Sequence, residues 1–347
     1  MSKLDNPNID PRIREVLKQF PGVQAGLTGA DVESREVMLA EAATPEAEAA
    51  NEAIQAFFAQ VGNEEVAPSA GLTISRHDFR SEPDGNTINV QFIRPDSTET
   101  LPCVYYIHGG GMQVCSCWDT QYQAWGRVIA QQGVAVAMVD FRNAVVPSSV
   151  PEVAPYPAGL NDCVSGLKWV AANSDSLKID RGRLIVAGES GGGNLVLAVG
   201  MRLLRDGDID LVQGLYSMCP YIAGIWPSPE CPSHLENDGI FISVTDNRGP
   251  MGYGIQELER RNPLAWPSFA KAEDVRGLPP TVISVNEFDP LRDEGINFYR
   301  FLIREGVRAS CRQLMGTTHG IEVMTAVCPE ISRETARSMA DFCRGER

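Results

Sequence analysis

The spacing of hydrophobic residues changes character near residue 70 of the 347-residue chain. Before that point apolar side chains recur with the period of a helix. The first helix can begin after Asp10, which can cap it, with Pro11 at its first position. A second helical pattern begins at Pro45 and should stop at Gly62. Two helices of this size cannot bury their own apolar faces, so we predict that residues 1–68 form a helical cap on the rest of the protein. The face of the first helix consists of Ile13, Val16, Leu17 and Phe20.

From residue 72 onward the pattern is one of strands alternating with helices. Two runs of period two, 72–80 and 87–94, flank Pro-Asp-Gly-Asn at 83–86, which is typical of a hairpin. Nearly continuous apolar runs follow, as expected of parallel strands covered on both faces. We therefore predict that residues 69–347 form a doubly wound, mostly parallel α/β sheet flanked by helices. The later strands are expected at 103–107, 134–139, 184–187, 212–217, 281–285 and 308–314.

One connection, residues 220–280, breaks this rhythm. It is rich in Pro, Gly, Trp and Ser, and its 61 residues far exceed an ordinary loop. Loops of such length in compact domains are usually functional. We predict that this insertion contributes to a substrate pocket and contains a helix near 254–261.

Charge excludes some classes of partner. The formal net charge is -15 and the isoelectric point is about 4.8, whereas nucleic acids and anionic membranes select a basic face. No secretory signal is visible, and no apolar run reaches the roughly 18 residues of a membrane span. We expect a cytoplasmic protein.

The nine cysteines do not form a recognisable metal or redox motif. They are scattered and lack CxxC pairs, so no metal site is predicted and most should be small buried apolar residues. Cys115 and Cys117 lie in a predicted loop beside a run of glycines. A reactive role for them would require a lowered pKa, and the sequence leaves that open.

The strongest chemical signal is Gly-Glu-Ser-Gly-Gly at 188–192, here called the elbow. It follows a predicted strand and precedes a helical pattern, which is the context that a GxSxG nucleophile requires. Glycines on either side let the chain turn sharply and present the Ser190 hydroxyl at a helix N-terminus. Ser190 is therefore the predicted nucleophile.

A second signal, His-Gly-Gly-Gly at 108–111, ends an earlier strand and is here called the HGGG loop. Its bare backbone N–H groups suit an oxyanion hole, which stabilises negative charge on a carbonyl oxygen. We assign the N–H groups of Gly110, Gly111 and Gly191 to that hole, with Gly109 as the substitute. His108 is expected to support the loop rather than to act as a base.

A nucleophilic serine needs a base, and the chain offers four histidines. His319 follows the predicted last strand, at the sheet edge where active sites of open sheets assemble. His77 lies in a hairpin strand and should be a solvated surface residue. His234 lies in the insertion, either at the pocket border or on the surface.

The imidazole in turn needs a carboxylate that fixes its tautomer. Asp289 follows an apolar strand and precedes Pro290. Its rivals are Glu287, which is nearer the strand, and Asp293, which we expect to cap the next helix. The order Ser190, Asp289, His319 is that of α/β-hydrolases.

Together these strings resemble the hormone-sensitive-lipase-like bacterial esterases. The resemblance implies an α/β-hydrolase fold with an N-terminal helical cap, a triad of Ser190, Asp289 and His319, and an oxyanion hole in the HGGG loop. It further implies hydrolysis of small-molecule esters with small acyl groups, without a cofactor, and it allows a homodimer. The strings are HGGGM (108–112), VDFRNA (139–144), GESGGGN (188–194), ENDG (236–239), GLPP (277–280) and NEFDPLRDEG (286–295).

One departure and three alternatives stay open. Many of these esterases carry GDSAG where this chain has GESGG, and the sequence offers no physical reason for Glu189. Lactonase or amidase activity would use the same triad and tetrahedral intermediate. A catalytically silent binding module would keep the pocket and lose the chemistry. A phosphate-binding loop fits poorly, because Val196 stands where GxGxxG needs its third glycine.

Overall fold

The computed structural model describes residues 3–20, 29–61 and 64–346. Within these ranges eight strands form one sheet, in the order β1-β2-β4-β3-β5-β6-β7-β8 of the strands given below. The pairs β1–β2 and β2–β4 are antiparallel, and every other neighbouring pair is parallel. The predicted α/β sheet is therefore confirmed. The strands are β1 (Leu72–Arg80), β2 (Thr87–Pro95), β3 (Leu101–Ile107), β4 (Ala135–Asp140), β5 (Ile179–Glu189), β6 (Gly214–Met218), β7 (Thr281–Phe288) and β8 (Ala309–Thr318).

Helices cover both faces of this sheet. Alternate residues of β3 belong to two separate hydrophobic clusters, because successive side chains of a strand point to opposite faces. One cluster is completed by α5 (Ala158–Ala172), α6 (Gly191–Asp206) and α7 (Arg292–Arg304), and the other by α4 (Thr120–Ala130) and α8 (Pro329–Arg344). Burial on both faces explains the continuous apolar runs of the central strands.

Strand ends differ from the predicted ones where polar residues continue a backbone ladder. β5 begins at Ile179 rather than at 184, because Ile179 already pairs with Leu101 of β3. β8 continues to Thr318 and so ends directly before His319. Shorter helical segments are Lys3–Asp5, Ser174–Leu177, Ile209–Leu211, Ser233–Glu236, Arg248–Tyr253, Ile255–Glu259, Pro267–Phe269, Ala272–Val275 and Ile321–Val323.

The N-terminal segment contains three helices: α1 (Pro11–Gln19), α2 (Arg35–Ala42) and α3 (Pro45–Val61). Asp10 caps α1 as predicted, since its side chain accepts a hydrogen bond from Arg12 N. The sequence pattern did not predict α2, whose single buried residue, Met38, leaves no apolar stripe. Gly62, the expected stop of α3, lies outside the described residues.

The first helix packs on the sheet domain rather than on the other helices alone. Ile13 and Leu17 are fully buried in a cluster with residues of the insertion and of the segment after β8. In the insertion, the helix expected near 254–261 is shorter, Ile255–Glu259. Across the described ranges, no helix has both the length and the apolar character to cross a membrane.

Candidate active site

Ser190 lies at the tight turn between β5 and α6. Its backbone has φ 58° and ψ -120°, a conformation that residues other than glycine rarely adopt. The turn is held by hydrogen bonds from Ser190 N to Met218 O (3.0 Å) and from Tyr221 N to Ser190 O (3.1 Å). Ser190 is half-buried and lines a cavity of about 530 Å³.

Glycines let the elbow contact the HGGG loop backbone to backbone. A Cβ atom on Gly191 would lie 2.8 Å from Gly111 N, and one on Gly192 would lie 2.1 Å from Ile107 O. Both distances are too short for any side chain. The loop also needs a left-handed conformation at Gly110, where φ is +89°.

The predicted oxyanion donors have N–H groups that are not used elsewhere in the described structure. Within the described ranges, the N–H groups of Gly110, Gly111 and Gly191 donate no hydrogen bond to another residue. Gly110 and Gly111 line the cavity beside Ser190. Gly191 follows Ser190 in the chain and lies against the backbone of Gly111. Gly109, the predicted substitute, instead donates its N–H to Glu189 Oε1 at 2.7 Å.

His319 and Asp289 come together at the ends of the neighbouring strands β8 and β7. The imidazole Nδ1–H donates to Asp289 Oδ2 at 2.8 Å, and Asp289 Oδ1 accepts a hydrogen bond from Leu291 N at 2.9 Å. His319 lines the same cavity as Ser190, whereas Asp289 is fully buried behind it. Burial disfavours the charged imidazole, but the Asp289 carboxylate opposes this and raises the pKa of His319 well above its ordinary value.

The rival carboxylates are engaged elsewhere. Glu287 accepts a hydrogen bond from Gly316 N at 2.7 Å. Asp293 accepts one from Ser233 N at 2.8 Å and pairs with Arg292. The expectation that Asp293 caps the next helix is wrong, because α7 already begins at Arg292.

The other histidines have partners inside the fold. His108 is fully buried, stacks on Phe141 with ring centroids 4.3 Å apart, and bonds through Nδ1 to Gly109 O. His234 is also fully buried, 2.7 Å from Glu294, so neither a surface position nor the pocket border is correct for it. His77 is half-buried beside Trp169 rather than fully solvated.

Most cysteines are buried, as predicted. Cys115 and Cys311 are half-buried, and the other seven are buried. Cys115 lines the cavity, but burial raises the pKa of its thiol well above the ordinary value, and the same holds for Cys117. Neither therefore has the lowered pKa that a reactive thiol needs.

Sequence reasoning missed Cys219, which lies against the proposed base. Its sulfur, a carboxylate oxygen of Asp289 and a ring nitrogen of His319 lie within 4.8 Å of one another. Burial raises the pKa of the Cys219 thiol to about 11, so it is protonated at neutral pH. His319 already donates to Asp289, so the arrangement of Cys219, Asp289 and His319 fits a hydrogen-bonded cluster better than a set of metal ligands.

The far wall of the cavity comes from the N-terminal segment and the insertion. Phe58 and Phe241 line it and belong to an aromatic cluster with Phe20, whose ring centroid lies 5.3 Å from that of Phe241. Arg248 also lines the cavity and pairs with Glu41 at 2.7 Å. These residues were not predicted individually, because they come together only through long-range packing.

Comparison with known proteins identifies the family of this chain. A family profile described as alpha/beta hydrolase fold matches residues 104–323. The chain belongs to the alpha/beta hydrolase fold family. Among curated proteins, it is 29% identical over 289 residues to esterase LipI of Mycobacterium tuberculosis, covering 83% of this chain and 86% of LipI.

Solved structures of similar proteins match nearly the full length of this chain. The structure of esterase Est22 is 60% identical and superposes with a TM-score of 0.95, covering 99% of each chain. Brefeldin A esterase, described as a bacterial homologue of human hormone-sensitive lipase, is 34% identical with a TM-score of 0.86, covering 98% of this chain and 94% of that one. The predicted resemblance to hormone-sensitive-lipase-like esterases is thus confirmed.

The backbone contact at the elbow gives a stability prediction. Gly192→Ala would place Cβ 2.1 Å from Ile107 O and 2.6 Å from His108 O, both backbone atoms that cannot rotate away. We expect urea denaturation to show a loss of about 1–3 kcal/mol or more in the free energy of unfolding.

Gly182→Ala is the matched control, because its Cβ would meet only the half-buried side chain of Asp180, at 3.2 Å, and no backbone atom. It should change stability by about 0.5 kcal/mol or less. Equal stability of the two variants would contradict the close contact at the elbow.

Proposed function

We propose that this protein is a carboxylic ester hydrolase that acts through an acyl-enzyme on Ser190. The observation that carries the proposal is the hydrogen bond between His319 and the buried Asp289. His319 lines the same cavity as Ser190. The relatives named esterase support the same activity. The triad, the oxyanion hole and the role of each residue are part of the proposal.

In this mechanism His319 accepts the proton of the Ser190 hydroxyl as its oxygen attacks the ester carbonyl. Asp289 holds the ring with Nδ1 protonated, which leaves Nε2 to act as the base. The N–H groups of Gly110, Gly111 and Gly191 stabilise the oxyanion. His319 then gives the proton to the departing alcohol, and water repeats the attack to release the acid.

The remaining assignments are proposals of the same kind. Residues 1–68 act as a cap and residues 220–280 as a pocket insertion, supported by Phe58 and Phe241 in the cavity wall. A preference for small acyl groups, a homodimer and a cytoplasmic location stay predictions. Lactones and amides stay alternative substrates, because they pass through the same intermediate.

Removal of the nucleophile tests the reaction directly. Ser190→Ala should lower kcat for p-nitrophenyl acetate by at least about 10³-fold, since the acyl-enzyme can no longer form. Release of p-nitrophenol, a molecule with which Est22 has been solved, is followed by absorbance.

The control is Ser310→Ala, an exposed position in β8 away from the cavity. It should retain the kcat of the unmodified protein. Equal turnover by Ser190→Ala would show that another residue is the nucleophile.

The triad also predicts a pH dependence. A carboxylate that raises the pKa of His319 keeps the ring protonated to higher pH, so kcat/KM should increase with pH as that proton is lost. Asp289→Asn removes the negative charge. The pH at which kcat/KM reaches half of its maximum on the acid side, here called the acid limb, should therefore fall by at least about one pH unit. The same variant should also lower kcat by about 10²–10⁴-fold, because the tautomer is no longer fixed.

The rivals serve as matched controls. Glu287→Gln and Asp293→Asn alter carboxylates that contact Gly316 N and Ser233 N rather than the imidazole. Both should leave the acid limb in place. A shift with Glu287→Gln and none with Asp289→Asn would overturn the assignment.

A further inference from the structure

Glu189 is a buried carboxyl beside the nucleophile that the proposed mechanism does not use. Only 3% of its surface is exposed. Burying an ionisable carboxyl is unfavourable unless its oxygens receive hydrogen bonds. Its presence in the elbow therefore calls for specific partners.

Three hydrogen-bond donors meet this carboxyl. Tyr106 donates its hydroxyl to Oε2, Tyr122 donates its hydroxyl to Oε1 at 2.6 Å, and Gly109 donates its backbone N–H to the same Oε1 at 2.7 Å. Gly109 N also lies 3.0 Å from the Tyr122 hydroxyl oxygen. A carboxylate can accept all three bonds, so the partners favour the ionised form although burial raises the pKa of Glu189 to about 7.

The contact reaches the HGGG loop at the point where the loop turns toward the nucleophile. Gly109 is followed by Gly110 and Gly111, whose N–H groups we assign to the oxyanion hole. A Cβ atom on Gly109 would lie 2.4 Å from Glu189 Oε1, so the carboxylate touches the loop backbone itself. Because Glu189 precedes Ser190 directly, one side chain links the nucleophile to the loop.

We propose that Glu189 is a positioning residue whose carboxylate holds Gly109, and through it the N–H groups of Gly110 and Gly111, at the distance from Ser190 that the oxyanion requires. This proposal rests on the proposed ester-hydrolase function. It assigns to Tyr122 a secondary part, because the phenol contacts both Glu189 and Gly109 N. Tyr106 contacts only the carboxylate side of this network.

A purely structural anchor would behave differently from a positioning residue. Loss of an anchor lowers stability but leaves each folded molecule with normal turnover. Loss of positioning lowers kcat in folded molecules and leaves KM nearly unchanged, because the oxyanion forms only during reaction.

The decisive variant is Glu189→Gln, which keeps the shape but presents an NH₂ group where an acceptor is needed. Turnover of p-nitrophenyl acetate is measured per active site, with sites counted by complete labelling with a fluorophosphonate. We expect kcat to fall by about 10–100-fold, somewhat less than removal of a whole oxyanion donor, with KM within about threefold of the unmodified protein. The rate of fluorophosphonate labelling should fall in parallel.

Glu294→Gln is the matched control. Glu294 is also 3% exposed and accepts hydrogen bonds from Ile222 N, Trp226 Nε1 and other donors, but it does not contact the HGGG loop. It should lower stability and leave kcat per active site within about twofold. Tyr122→Phe should lower kcat by about 3–10-fold at constant KM. If Glu189→Gln does not fold, the kcat of Tyr122→Phe tests the positioning role instead.

The experiment distinguishes failure of the positioning role of Glu189 from failure of the proposed ester-hydrolase function. If the unmodified protein hydrolyses the ester, Ser190→Ala does not, and Glu189→Gln has normal kcat per site, then the positioning role alone is wrong. Normal kcat in Tyr122→Phe, where Glu189→Gln fails to fold, has the same meaning. If the unmodified protein itself neither hydrolyses the ester nor reacts with fluorophosphonate, the proposed function fails and the positioning role falls with it.

Discussion

The site depends on one close contact, that between the elbow and the backbone at the end of β3. At Gly191 and Gly192 the elbow lies so close to the backbone of residues 107–112 that there is no room for a Cβ atom. This contact brings the backbone of Gly110 and Gly111 next to Ser190 at the cavity. In the same elbow Ser190 has a strained φ of 58°, and the hydrogen bonds of the turn hold this conformation in place.

Around this contact, buried carboxylates organise the polar groups. Asp289 fixes the His319 ring, Glu189 reaches the HGGG loop, and Glu294 ties the insertion to α7 through Trp226 and His234. Each carboxylate receives at least two hydrogen bonds, which offsets the desolvation of its charge. The polar framework is thus built from residues far apart in sequence, and each anchors a different segment near the cavity.

The sequence was sufficient to predict the sheet and the candidate triad residues. Ser190 and Asp289 each follow a short apolar strand and belong to a rare string, and His319 follows the predicted last strand. It was not sufficient for Glu189, since its partners depend on the register that sets Ile107 of β3 beside Gly188 of β5. Helix α2 lacks an apolar stripe, so the hydrophobic periodicity of the sequence did not predict it. His234 could not be placed from its loop, because its burial depends on Glu294, 60 residues away.

Covalent labelling shows whether Ser190 is the nucleophile. The protein is treated with a fluorophosphonate, and its intact mass and its proteolytic peptides are measured by mass spectrometry. We expect one phosphonyl group per chain, on Ser190, and none on the Ser190→Ala variant. An unlabelled protein, or a label on another residue such as Cys115, would contradict it.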